Sequence, residues 1–485
     1  MILIVLSVLP LLAAAGIFLA GKKAPVLGRS LLAGTALLHF GLTIWTLFQG
    51  KYPEWSCRGN IWLKLDLPGA VILFITALLF LAVALQTVFW LPAEYDAAAM
   101  RHNDEDPRKH FLPEYIFLGC IAAFAGTMTL VITAWNLGLL WVAVEATTLC
   151  SAPLILFHRS KQALEAMWKY LLICSVGIAF ALFGTLLLEV AIRAQHNTRG
   201  LWYELLSGGK TAFDPAWFKA AWIFVLAGYG TKMGLVPFHA WLPDAHSEAP
   251  GTVSAMLSGA LLNCSLLGIL RFYNLAPAEV FAFCQNMLTA LGVLSLAVAA
   301  LFIIRQGDFK RMLAYSSVEH MGLAALLLAH CGDRVMLPHL LGHSMIKMAL
   351  FLTAGNLLLA YGSRSIAGIG GMLGTLRRNS VVWIGGILLI CGAPPSPLFV
   401  TEFALIATSP VWLGITVAIL LFAIFAGMTM AALHMTMGEP GSLQSPDTLA
   451  KRAEKLWTIP GLMCIAAVAL GLYMLWGVNL LWSLR

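Results

Sequence analysis

Apolar residues run along this chain in long blocks, each about as long as a bilayer-crossing helix, separated by short polar stretches. A crossing helix needs about 20 mostly apolar residues. Fourteen windows of that kind can be read, near 2–20, 30–48, 68–91, 115–134, 137–157, 167–192, 220–240, 252–275, 282–304, 311–330, 335–361, 380–408, 411–433 and 457–482. The pattern predicts an all-α polytopic membrane protein with about fourteen transmembrane helices. The first block has no basic residues before it and is followed by Gly21-Lys22-Lys23 rather than a small-residue cleavage site, so it is expected to be a retained helix. The longest polar interruptions, 92–114 and 193–219, are too short and too uniform to be soluble domains.

Lys232 and Glu402 each lie beside a proline interruption of an apolar block, at Pro237 and at Pro394-Pro395-Ser396-Pro397. Ionisable residues recur in the same order around them. Glu145 and Glu319, Lys169 and Lys347, and Lys232 and Glu402 form three pairs with nearly equal separations along the chain. This spacing predicts a five-helix unit used twice. Because five is odd, the second copy enters the membrane from the opposite side, which makes two inverted repeats, each with a broken helix. The expected organisation is three helices and a loop over 1–114, a first repeat over 115–275, a second over 282–433, and a loop with the last helix over 434–485.

Composition excludes a soluble alternative: of 485 residues, 60% are hydrophobic and 11% charged, with a mean hydropathy of +0.85. The formal charge of +7 calls for no nucleic acid partner. Its distribution matters more. Most loop lysines and arginines, including Lys22, Lys23, Arg305, Lys310, Arg377 and Arg378, fall in the odd-numbered loops, which places those loops in the cytoplasm and both termini outside. The nine cysteines are scattered singly, and no CxxC or Cys/His cluster has metal-ligand spacing. Phosphate loops and a Ser/His/Asp elbow are also absent, so the expectation is a chain with no catalytic centre, cofactor or metal of its own.

The chemistry that remains is ionisable. Lys232 sits in an apolar block, five residues before Pro237, where a charge costs about 2.5–3.5 kcal/mol on insertion scales. Glu145 is its expected partner. The pair reads either as a structural ion pair or as a relay in which protonation of the acid frees the lysine to pass its proton on. Lys169 reads either as part of that relay or as an interfacial lysine reaching out to the headgroups. Between Pro237 and Pro250, His239, Asp244, His246 and Glu248 suggest a polar entry funnel, against a capped turn or a metal site of no specific geometry. Glu319, His320, His343, Lys347 and Glu402 fall within the second half and suggest a proton path there. Lys310, with Arg311, reads as positive-inside anchoring at the start of a span.

These residues carry a resemblance. Thr231-Lys-Met-Gly-Leu-Val-Pro-Phe-His-Ala-Trp-Leu-Pro-Asp-Ala-His-Ser-Glu-Ala-Pro250, Asp308-Phe-Lys-Arg-Met-Leu-Ala-Tyr-Ser-Ser317 and Trp141-Val-Ala-Val-Glu-Ala-Thr-Thr-Leu149 resemble the antiporter-like subunits of respiratory complex I and its relatives. Within that family, Glu145-Ala-Thr-Thr-Leu, Trp168-Lys-Tyr, Ser316-Ser-Val-Glu and His343-Ser are most similar to the component F proteins of hydrogenase-4. The resemblance implies two inverted five-helix bundles and proton translocation coupled to electron transfer in partner subunits, with NiFe and Fe–S centres in a soluble arm. It implies a bacterial or archaeal cytoplasmic (inner) membrane. It also makes Glu145 and Lys232 the acid and base of the first half-channel, Lys310 part of the motif opening the second bundle, and Glu402 the terminal ionisable group on the second broken helix. One departure stands out: Asn263 occupies the place where the pumping subunits of complex I usually carry a bridging lysine. Asparagine cannot take up a proton, so a relay into the second half needs water, His320 or His343, or else is broken there. Alternative readings are an Mrp-type cation/proton antiporter subunit, an inorganic-carbon uptake module, and a scaffold with relic charges.

Overall fold

The computed structural model describes residues 1–50, 52–102, 107–193, 201–207, 213–439 and 447–477. Among the described residues, thirteen helices are long and apolar enough to cross a membrane, so the chain is a multi-pass membrane protein. The block at 380–408 accounts for the difference from fourteen. It forms two pieces, Arg377–Ile390 and Pro397–Thr408, each too short to count alone.

Both proline interruptions break their helices, and at each break a side chain donates to one freed carbonyl. Proline lacks the N–H that would continue a helix and disfavours helical backbone in the residue before it. In the first case Pro215–Met233 ends at Gly234, whose φ of 84° suits glycine, and the chain resumes through Phe238–Ala240 into Trp241–Glu248. The Trp241 indole donates to Thr231 O at 2.8 Å across the gap. In the second, Gly392 has φ 70°, and Ser396 Oγ donates to Leu389 O at 2.7 Å while accepting from Leu398 N at 3.2 Å. Open backbone at membrane depth is tolerated only where protein or water supplies such partners. The apolar block at 220–240 therefore continues to Glu248, and the stretch after Pro237 is a short helix rather than a capped turn.

The chain forms two compact units. The first comprises Met1–Ala84, Leu112–Glu248 and Ala260–Leu291. It includes a polar hairpin, Glu54–Cys57 against Asn60–Lys64, turning through Arg58 and Gly59 at φ 51° and 80°. Trp135 N donates to Trp62 O at 2.8 Å and Tyr203 N to Trp135 O at 3.1 Å, which ties three loops into one cap. Beneath it lies Arg271, 2% exposed, bonded to Ala134 O and, at 2.8 Å, to Ile132 O. A cation there meets the carbonyl end of the helix Glu114–Thr133.

The second unit comprises Leu85–Phe111, Ala249–Gly259 and Gly292–Arg485. The helix Leu67–His102, expected to end near 91, continues through Pro92 and enters this unit. There the Arg101 guanidinium donates to Leu358 O and Leu359 O at the carbonyl end of Asp333–Tyr361. A chain of buried amides links Gln86 to Asn356 at 3.2 Å and Asn356 to Asn379 at 2.9 Å. The acidic run Asp104, Glu105 and Asp106 lies outside the described residues.

Candidate functional site

In the first unit the helix Pro215–Met233 carries Lys232 one residue from its end, fully buried. Its ammonium donates to Thr148 Oγ1 at 2.8 Å and to Tyr170 OH at 2.7 Å, and it lies 4.6 Å from the Tyr170 ring centroid. The Thr148 hydroxyl in turn faces Glu145 Oε2 at 3.5 Å. Glu145 Oε1 accepts from Ser175 Oγ at 2.8 Å, and Tyr170 OH meets Ser151 Oγ at 2.6 Å. A hydroxyl both accepts and donates, so this is a continuous string of groups able to hand a proton along.

The geometry corrects two sequence expectations. Glu145 and Lys232 do not meet directly, because Thr148, one turn after Glu145, stands between them. Glu145 is also only half-buried, on a helix face where Val142 and Leu149 are exposed. Lys169 takes no part in the string. Its exposed ammonium pairs with Glu165 at 2.7 Å and with the part-exposed Asp244 at 3.1 Å. His239 is half-buried at the break, His246 is buried and Glu248 half-buried in Trp241–Glu248. Asn263 is fully buried just after a π-helical turn at Leu257–Leu261, a feature often found at functional positions.

The second unit holds a second site. Lys347, fully buried in Asp333–Tyr361, donates to Leu313 O at 2.7 Å and Ser316 Oγ at 2.8 Å. Buried Glu319 interacts electrostatically with Lys347 and with Glu402. Glu402 sits on Pro397–Thr408 against Gly392, where only a residue without Cβ leaves room for the carboxylate. His320 lies with its ring centroid 5.1 Å from His343 and 5.4 Å from His339, all fully buried. His339 Nδ1 shares a 2.8 Å hydrogen bond with Thr401 Oγ1. Among the described residues, no group of three or more His, Cys, Asp or Glu is placed to hold a metal ion.

Lys310 departs from the anchoring reading. It is 1% exposed and its ammonium donates to Ala249 O, so it is buried in protein instead of resting among headgroups. The residues missed by sequence reasoning are the polar groups that hold the charges: Thr148, Tyr170, Ser175, Ser316 and His339. Two left a signal, since Thr148 follows Glu145 by one turn and His339 precedes His343 by one turn, on shared helix faces.

The profile of the family described as "NADH:quinone oxidoreductase/Mrp antiporter, TM" matches residues 134–429. The chain belongs to this family. The match takes in every candidate site residue from Glu145 to Glu402. Among relatives, the hydrogenase-4 component F homolog of Methylacidiphilum infernorum (isolate V4) is 37% identical over 333 residues, 66% of this chain and 69% of that protein. A chain of the membrane-bound sulfane sulfur reductase, an archaeal respiratory membrane complex, shares the fold with a TM-score of 0.82 at 20% identity, over 99% of this chain and 96% of that one. A chain of the Mrp complex from Dietzia sp. DQ12-45-1b does so with a TM-score of 0.78 at 19% identity, over 98% and 95%. The resemblance read from the motifs holds at the level of the antiporter family and its multi-subunit membrane complexes.

Proposed function

We propose that this chain is the proton-translocating, antiporter-like subunit of a hydrogenase-4 or complex I-type oxidoreductase, working through two lysine-centred sites. The observation that carries this reading is the pair of fully buried lysines, Lys232 and Lys347, each held by a hydroxyl and each served by an acid. A buried ammonium is costly, and two of them on separate helices are better explained by ion passage than by stability. In the first half Glu145 would set the charge state of Lys232 through Thr148. In the second, Lys347 would exchange protons with Glu319, the His320, His339 and His343 group, and Glu402 as the terminal group. His239, Asp244, His246 and Glu248 would form the polar approach to Lys232. The domain division at 115–275 and 282–433 belongs to the same proposal.

The 37% identity to the hydrogenase-4 component F homolog favours a hydrogenase-type complex, with NiFe and Fe–S centres in partner subunits of the inner membrane assembly. The shared fold with an Mrp complex chain supports a second reading, a cation/proton antiporter or ion-uptake module. Affinity purification of the native assembly separates the two: hydrogenase and Fe–S subunits in the eluate support the first reading, and their absence supports the second. Under the first reading, Glu145→Gln lowers the proton gradient that inverted vesicles build per electron transferred, and an unchanged gradient would remove Glu145 from the path.

A further inference from the structure

A groove with a volume of about 550 Å³ opens in the second unit between the helix Leu67–His102 and the start of Thr458–Trp476. Leu85, Phe89 and Pro92 line one side at helical spacing, and Ile459 lines the other. Phe89 is 65% exposed, so the apolar wall is open rather than filled by this chain. Arg452 and Lys455 stand at the groove, one turn apart on the short helix Asp447–Lys455, whose Leu449, Ala450 and Ala453 are buried. Arg452 is engaged by Asp96. Lys455 makes no ion pair among the described residues.

An apolar slot lined by an ammonium that is unpaired among the described residues has the two-part chemistry of a charged lipid. We propose that this groove binds one anionic phospholipid, with its phosphate at Lys455 and an acyl chain along Leu85 and Phe89. Inorganic phosphate would leave the apolar wall in contact with water. A zwitterionic lipid would bring its own cation toward Lys455. Basic residues next to the apolar end of a membrane helix are the usual recognition element for anionic headgroups.

Site-specific photocrosslinking tests this directly. The full-length chain, in its complex, carries benzoylphenylalanine in place of Phe89 and is reconstituted in vesicles of phosphatidylcholine and phosphatidylglycerol in equal amounts. A second labelled protein carries the probe in place of Phe422, which is 72% exposed on the apolar helix Val411–Met437 and reports the bulk lipid. The expected adduct at Phe89 is mainly phosphatidylglycerol, whereas Phe422 takes both lipids equally. Lys455→Gln lowers the anionic preference at Phe89 about five-fold, and Lys455→Arg keeps it. Equal labelling at both positions, a preference that survives Lys455→Gln, a polypeptide adduct, or no adduct at Phe89 while Phe422 labels would each overturn the proposal.

Discussion

Lys232 Nζ lies 2.8 Å from Thr148 Oγ1, and that one hydroxyl links the ammonium to the Glu145 carboxylate. Replacing Thr148 by Val keeps the shape and removes the link. The expected result is a loss of about ten-fold in proton transport, since a buried donor left without its partner costs about 1–3 kcal/mol. Thr148→Ser should restore most of it. Dye-reported acidification of vesicles measures both variants, and equal rates for Val and wild type would remove Thr148 from the path.

Lys169 offers the contrasting case. Its pairs with Glu165 and Asp244 are exposed, and pairs of that kind are worth about 0–1 kcal/mol. Lys169→Ala should therefore leave transport within about five-fold of wild type, by the same assay. A collapse as deep as that of Lys232→Ala would restore Lys169 to the relay.

Much of this arrangement is legible in the sequence because burial of charge in apolar blocks is conspicuous. Lys232, Glu319, Lys347 and Glu402 stand out for that reason, and the prolines at 237, 394, 395 and 397 mark both broken helices. The holders of the charges are harder to see. Thr148, Tyr170 and Ser316 are ordinary residues in membrane helices, and only tertiary contact singles them out. Arg271 is hidden as the basic end of an apolar block, although it is fixed by two carbonyls from another helix. The hairpin Glu54–Lys64 is too short for periodicity to reveal. Glu145 reads as buried because its block is apolar, but lipid-facing and core-facing apolar residues look alike in composition.

Arg271 should carry stability rather than transport. Arg271→Ala leaves the Ile132 and Ala134 carbonyls without their donor beneath the loop cap, at a cost of about 2–5 kcal/mol. A thermal unfolding scan of the purified complex should show a clear fall in Tm. Arg271→Lys should recover it only in part, because one ammonium replaces a forked donor. An unchanged Tm for the alanine variant contradicts this role.

Gly392 tests the second broken helix. Its φ of 70° disfavours any side chain by about 1–2 kcal/mol, and a Cβ there would meet the Glu402 carboxylate. Gly392→Ala should thus displace Glu402 and lower proton transport about as much as Glu402→Gln does. If Gly392→Ala transports normally while Glu402→Gln does not, the carboxylate is not set by this contact.

The most direct test of the two-lysine account is the number of protons moved per electron in inverted vesicles holding the intact complex, compared between wild type, Lys232→Ala and Lys347→Ala. The account predicts that electron transfer continues or slows while the proton yield per electron falls in both variants. A proton yield equal to wild type in both would contradict it.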